Sequence, residues 1–75
     1  MTNTEIYRLD IDYSVAKLSK ESGVDRHAIY RNEDGLGQKI YEKTYFRLAK
    51  VFSKVTGKNI KEIYNDLLED KNYKN

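Results

Sequence analysis

The sequence predicts a small all-α domain, and three observations carry that expectation. No proline occurs in the 75 residues, so no helix interior loses a backbone N–H to a ring. Composition is 39% hydrophobic and 35% charged, the balance of a helical globule rather than of a disordered chain. Apolar residues recur three and four apart in runs punctuated by glycine, the period of helices that each bury one face. This length has room for one core, so a single domain is expected over residues 1–70, with the polar segment 71–75 ("KNYKN") as a fraying tail.

Five helices follow from the caps and stripes. Thr2 and Glu5 have capping-box spacing, which starts a first helix over Asn3–Asp10, with Ile6 and Leu9 as its inner face. Ser14 caps a second helix whose inner face is Val15, Leu18 and the small Ser19. Gly23 ends it, and Asp25 caps a third helix from Arg26 to about Asn32. Asp34-Gly35-Leu36-Gly37 is the clearest breaker, after which 38–43 reads as loop or an early helical turn. Tyr45, Leu48, Phe52 and Val55 then mark a fourth helix that stops at Gly57. Asn59 with Glu62 opens a fifth, carrying Ile60, Ile63, Tyr64, Leu67 and Leu68 as its stripe. The expected core is Ile6, Leu9, Leu18, Val24, Ile29, Leu48, Phe52, Val55, Ile60, Ile63 and Leu67.

Several function classes are disfavoured. Without cysteine there are no disulfides or zinc–thiolate sites, and His27 is the only histidine, so neither a metal nor a cofactor is expected. Five short helices around one core leave no deep cleft for a substrate or small-molecule ligand. No paired carboxylates, Ser-His-Asp set or phosphate-cradling loop argues for catalysis, so the chain is not expected to be an enzyme. No apolar run approaches a membrane span, and the first residues lack a signal-peptide layout, so a soluble cytoplasmic protein is expected.

The distribution of charge is more telling than the net +2. Residues 38–61 hold seven basic side chains against one acidic, whereas 1–37 and 62–75 each have an acidic excess of two. A basic stretch of this kind can face phosphates, or it can be an ordinary solvated helix surface.

The stretch "SVAKLSKESGVDRHAIYRNEDG", Ser14–Gly35, sets two short helices around a tight turn. A small residue at Ser19, a permissive one at Gly23 and apolar anchors at Val24 and Ile29 are what a helix-turn-helix needs, although any tight helical hairpin needs something similar. The segment from about Arg8 to Ile63 resembles the Cro/CI-type helix-turn-helix family, the lambda-repressor-like DNA-binding domains. The resemblance lies in Arg8 six residues before Ser14, in "SVAKLSKESGV", in Ile29, Arg31, Glu33 and Gly35 on an Ile-x-Arg-x-Glu-x-Gly pattern, in "RLAKVF" and in "IKEI". Val15 stands where many relatives carry a glutamine. The resemblance implies a compact five-helix fold, a third helix lying in the major groove, and dimers that read paired half-sites on double-stranded DNA.

On such a recognition helix Arg26, His27, Tyr30 and Arg31 point outward and are the base-reading candidates, with Ile29 facing in. Arginine can donate two hydrogen bonds to guanine O6 and N7; for Arg31 the alternative is a structural salt bridge. Phosphate contacts are expected from Ser14 and Lys17 at the start of the second helix, and from Lys39, Lys43, Thr44 and Tyr45 after the glycine loop. Glu33 is expected to orient an arginine. Leu67 and Leu68 are adjacent near the end of the fifth helix, where one stripe cannot bury both, so Tyr64 and Leu68 are expected in a homodimer interface on a pseudo-palindromic operator. The function so implied is a transcriptional regulator, a small repressor of a phage, plasmid or other mobile element. The alternatives are a protein-binding antirepressor or inhibitor on the same scaffold, and an excisionase-like accessory DNA protein.

Overall fold

Every helix begins where the sequence supplies a cap or an extended residue. The structure, a computed structural model, describes residues 1–74; Asn75, the last residue of the expected tail, lies outside the described residues. In chain order the helices are α1 (Asn3–Asp10), α2 (Val15–Ser22), α3 (Arg26–Glu33), α4 (Glu42–Thr56) and α5 (Ile60–Leu68), with 3₁₀ turns at Gly37–Lys39 and Glu69–Asn72 and no strand among the described residues. Thr2, Ser14, Asp25 and Asn59 each accept a hydrogen bond from a backbone N–H of the helix that follows, satisfying a donor that has no partner within the helix. The result is an all-helical body of 29 × 24 × 20 Å.

The long α4 is the spine. Its Tyr45, Leu48, Ala49, Val51 and Phe52 are buried, and α5 and α2 pack against it through Ile63, Leu67 and Leu18. Val24, Ile29 and Ile40 complete the core. Ile40 belongs to the segment left open between loop and helix: it follows the Gly37–Lys39 turn in extended backbone and is buried.

Two glycines are fixed for different reasons. Gly23 has φ 73° and ends α2, a left-handed conformation in which a side chain is strained. A Cβ there would meet nothing within 4 Å, so bulk at Gly23 would not separate α2 from α3, as a tight hairpin by itself suggests; the constraint is torsional. Gly37 is fixed by contact, since a Cβ would lie 2.5 Å from the Asp70 carbonyl oxygen and 2.5 Å from the Tyr45 hydroxyl.

Three expected core residues are not in the core. Ile6 and Leu9 are 42% and 48% exposed, because α1 turns Thr4, Tyr7 and Arg8 inward. Tyr7 stacks on Phe52 with ring centroids 5.4 Å apart, and its hydroxyl donates to Asp66 at 2.7 Å. Val55 is 44% exposed, one turn past the last buried residue of α4. Ile60 is only half-buried.

Beneath α1 lies a buried polar cluster. The Asp70 carboxylate accepts from the backbone N–H groups of Asn3 and Thr4 at 2.8 and 2.9 Å, from the Thr4 hydroxyl at 2.6 Å and from Asn32 Nδ2 at 2.9 Å. Asn32 Oδ1 accepts from the Thr2 hydroxyl at 2.8 Å. Asn32 Nδ2 also donates to the Tyr45 hydroxyl at 3.2 Å, and that hydroxyl donates to the Gly37 carbonyl at 2.9 Å. No buried side-chain polar atom among the described residues lacks a partner, which is the condition for such a cluster to stabilise rather than cost. The chain end expected to fray is held by the same region: Asp70 is buried, Lys71 Nζ donates to the Ile40 carbonyl, and the Glu69–Asn72 turn packs on Gly37–Lys39.

Candidate functional site

The turn between α2 and α3 is tied at both ends. The Ser19 hydroxyl donates to the Val24 carbonyl at 2.6 Å, the Ser22 hydroxyl accepts from the Val24 N–H at 3.1 Å, and Asp25 accepts from the His27 N–H at 2.7 Å. Ile29 and Asn32, both fully buried, seat α3 on the body. With those two positions facing in, helical periodicity turns the opposite side of α3 outward. Arg26, His27, Tyr30 and Arg31 are all exposed, so the four base-reading candidates share the free face of one helix.

The far end of α3 is clamped. Arg8 grips Glu33 with two parallel bonds, Nε to Oε2 at 2.6 Å and Nη2 to Oε1 at 2.8 Å, and its Nη1 donates to the Tyr13 carbonyl at 2.8 Å. The hydrogen bond to Glu33 holds the guanidinium pKa above its ordinary value. Both side chains are only 12% exposed, so this pair fixes α3 to α1 in a setting drier than the surface. The arginine that Glu33 orients is therefore Arg8, and Arg31 is left exposed without that partner.

Of the phosphate candidates, Ser14, Lys17, Lys39 and Lys43 are exposed and Thr44 is half-buried. Ser14 Oγ accepts from the Lys17 N–H at 3.0 Å and still carries its own proton for donation. Lys17 Nζ lies 4.5 Å from the centre of the Tyr13 ring, whose hydroxyl is fixed by donating to Glu21 at 2.8 Å; that bond raises the phenol pKa. A surface depression lined by Ala16, Lys17, Lys20, Glu21 and Arg26 joins the start of α3 to the outer face of α2. Lys20 was not singled out by sequence reasoning; its signal is the three-residue spacing from Lys17, which sets both on one side of α2. Lys39 sits in the 3₁₀ turn that packs against α3.

Tyr45 is corrected. It is fully buried and its hydroxyl is engaged by Asn32 and Gly37, so it cannot reach a phosphate. Burial pushes its phenol up to about 12, assisted by the nearby Asp70 charge and opposed by the Asn32 hydrogen bond. Its place at the start of α4 suggested a surface role, yet that same position points it at the core alongside Ala49 and Phe52.

Tyr64 and Leu68 are half-buried against the chain's own core, and Tyr64 meets Phe46 edge to face with centroids 5.4 Å apart. Leu67 is fully buried, so α5 spends most of its apolar surface internally. Among the described residues no group of three or more His, Cys, Asp or Glu side chains could hold a metal ion, and no helix is long and apolar enough to cross a membrane. Comparison with family models, with curated proteins and with solved structures finds no match for this chain.

Proposed function

We propose that the chain is a sequence-specific double-stranded DNA-binding regulator of the Cro/CI type, with α2, the Gly23–Asp25 turn and α3 acting as a helix-turn-helix and α3 entering the major groove. The observation that carries this reading is the free face of α3: Arg26, His27, Tyr30 and Arg31 are exposed together, while Ile29, Asn32 and the Arg8–Glu33 pair hold the helix from behind. A rigid helix with two arginines, an imidazole and a phenol on its open side suits base edges, because arginine donates in pairs to guanine. Ser14, Lys17, Lys20, Lys39 and Lys43 supply the phosphate contacts that position it.

The protein acts as a homodimer on a pseudo-palindromic operator, each copy occupying one half-site about 34–36 Å from the other, and it represses by occluding a promoter. The exposed edges of Tyr64 and Leu68, with Phe46 beside them, form the contact between copies. A mobility-shift titration on random duplexes and on duplexes selected for binding tests the reading. Preference for the selected duplexes that is weakened in Arg26→Ala supports it; equal binding of the parent to both pools contradicts it and favours a protein partner or a non-specific accessory role.

A further inference from the structure

The outward side of α4 carries Lys43, Arg47, Lys50 and Lys54, spaced four, three and four residues apart and all exposed. At 100° per residue these positions lie together on the side of the helix opposite Tyr45, Ala49 and Phe52, so the row faces directly away from the core. It extends over roughly 16 Å of helix axis. The only acidic residue of α4, Glu42, is turned toward the edge of the buried face and does not enter the row. No ion pair joins any of these four cations to a carboxylate among the described residues; Lys43 and Lys50 lie over the rings of Tyr41 and Phe46 instead. Like charges at these spacings repel one another, and Lys43 in the first turn also opposes the helix dipole. A polyanion laid along the row would relieve that repulsion.

We propose that this face of α4 is a second nucleic-acid surface, binding the phosphodiester backbone without reading bases through Arg47, Lys50 and Lys54, and continuous at Lys43 with the phosphate contacts that position α3. Three features favour a phosphate backbone over other anionic partners. An amphipathic helix that lies in a membrane inserts its apolar face, and the apolar face of α4 is closed in the core. A protein interface is built around buried aromatic and aliphatic anchors and is depleted in lysine, whereas all four side chains of the row are cations and three of them are lysines. Backbone recognition needs only cations in a row, which this face supplies.

The test is the triple variant Arg47→Gln, Lys50→Gln, Lys54→Gln, with Lys43 left intact because it belongs to the α3 reading. Binding of a short random-sequence duplex is followed by fluorescence anisotropy from about 50 to 200 mM salt. A second triple variant, Lys58→Gln, Lys61→Gln, Lys74→Gln, removes the same net charge elsewhere on the surface. The α4 variant should melt no lower than the parent, and its plot of log affinity against log salt should be shallower by about 0.9 per cation removed, with affinity at least about tenfold weaker at low salt. The second variant should keep the parent slope. An unchanged slope in the α4 variant, or an equal change in both variants, overturns the proposal. So does an α4 variant that keeps the parent's duplex binding but loses binding to phosphatidylserine vesicles, titrated alongside as a second probe. Failure of sequence selection would sink the α3 reading and leave this one standing, since the probe here carries no preferred sequence.

Discussion

Asp70 caps a helix that begins sixty-seven residues before it. By accepting from Asn3 N–H and Thr4 N–H it satisfies two donors that α1 cannot use internally, and its negative charge sits at the positive end of the helix. The same carboxylate takes the Thr4 hydroxyl and Asn32 Nδ2, so Asp70→Ala would strand several buried donors at once. The expected loss is about 3 kcal/mol, read from the midpoint of urea unfolding, because hydrogen bonds to a charged group are the stronger kind and leaving their partners unmet is costly. Nothing in the sequence signals this role: Asp70 sits in a polar run, and its partners are at the other end of the chain. Tyr45, in the same cluster, makes a pH-dependent contribution. The fold keeps its phenolic proton more tightly than the unfolded chain does, so the contribution is complete below pH 10 and is lost as pH rises from 10 through about 12. Stability should fall in that window by on the order of 2 kcal/mol from this group. Tyr45→Phe is therefore expected to be less stable than the parent near neutral pH, with the gap narrowing above pH 10 in thermal melts. Tyr7, also pushed up to about 12 by burial and its bond to Asp66, adds to the parent's alkaline decline in the same direction.

At the scale of elements, boundaries were legible where a cap and a breaker bracket a run, and faces were legible only where the stripe is long. Thr2, Ser14, Asp25 and Asn59 cap as their spacing predicts, and α5 buries Ile63 and Leu67 from a stripe that fixes its orientation. In α1 the two apolar residues three apart named the wrong face. An eight-residue helix with Thr4, Tyr7 and Arg8 able to make specific bonds inward gains more from those than from burying Ile6 and Leu9. The 38–43 segment was illegible because its order comes from Gly37 fitting under Asp70 and from Ile40 entering the core, both long-range contacts. The turn between α2 and α3 gives a test that separates strain from bulk. Gly23→Val should lower stability by about 1–2 kcal/mol through its positive φ, and Gly23→Asn should recover much of that loss, because asparagine tolerates the left-handed region. If the two variants melt alike, torsional strain is not what fixes this glycine.

At the scale of the whole molecule, a body of 29 × 24 × 20 Å places most of its cations on exposed surfaces, while Asp70, the buried carboxylate among the described residues, serves the structure. Sequence spacing found the exposed α3 set and four of the phosphate candidates as surface residues; it missed Lys20, whose relevance is its proximity to Arg26, and it misplaced Tyr45, whose helix phase depends on where the core lies. The two kinds of contact should separate by mutation. Arg26→Ala is expected to relax base preference at one position of each half-site, whereas Lys39→Ala or Lys43→Ala should weaken binding to every sequence and reduce the salt slope by about one each. Anisotropy titrations on a set of single-base variants of a bound duplex would show the difference; equal loss on every sequence from Arg26→Ala would make it a phosphate contact. The most direct measurement of the central claim is selection of bound duplexes from a random library by the full chain, followed by sequencing. A DNA-reading α3 in a two-fold dimer predicts enrichment of an inverted repeat with half-sites about one helical turn apart, and relaxed preference at one position of each half-site in Arg26→Ala. Recovery of a pool no different from the input would contradict it.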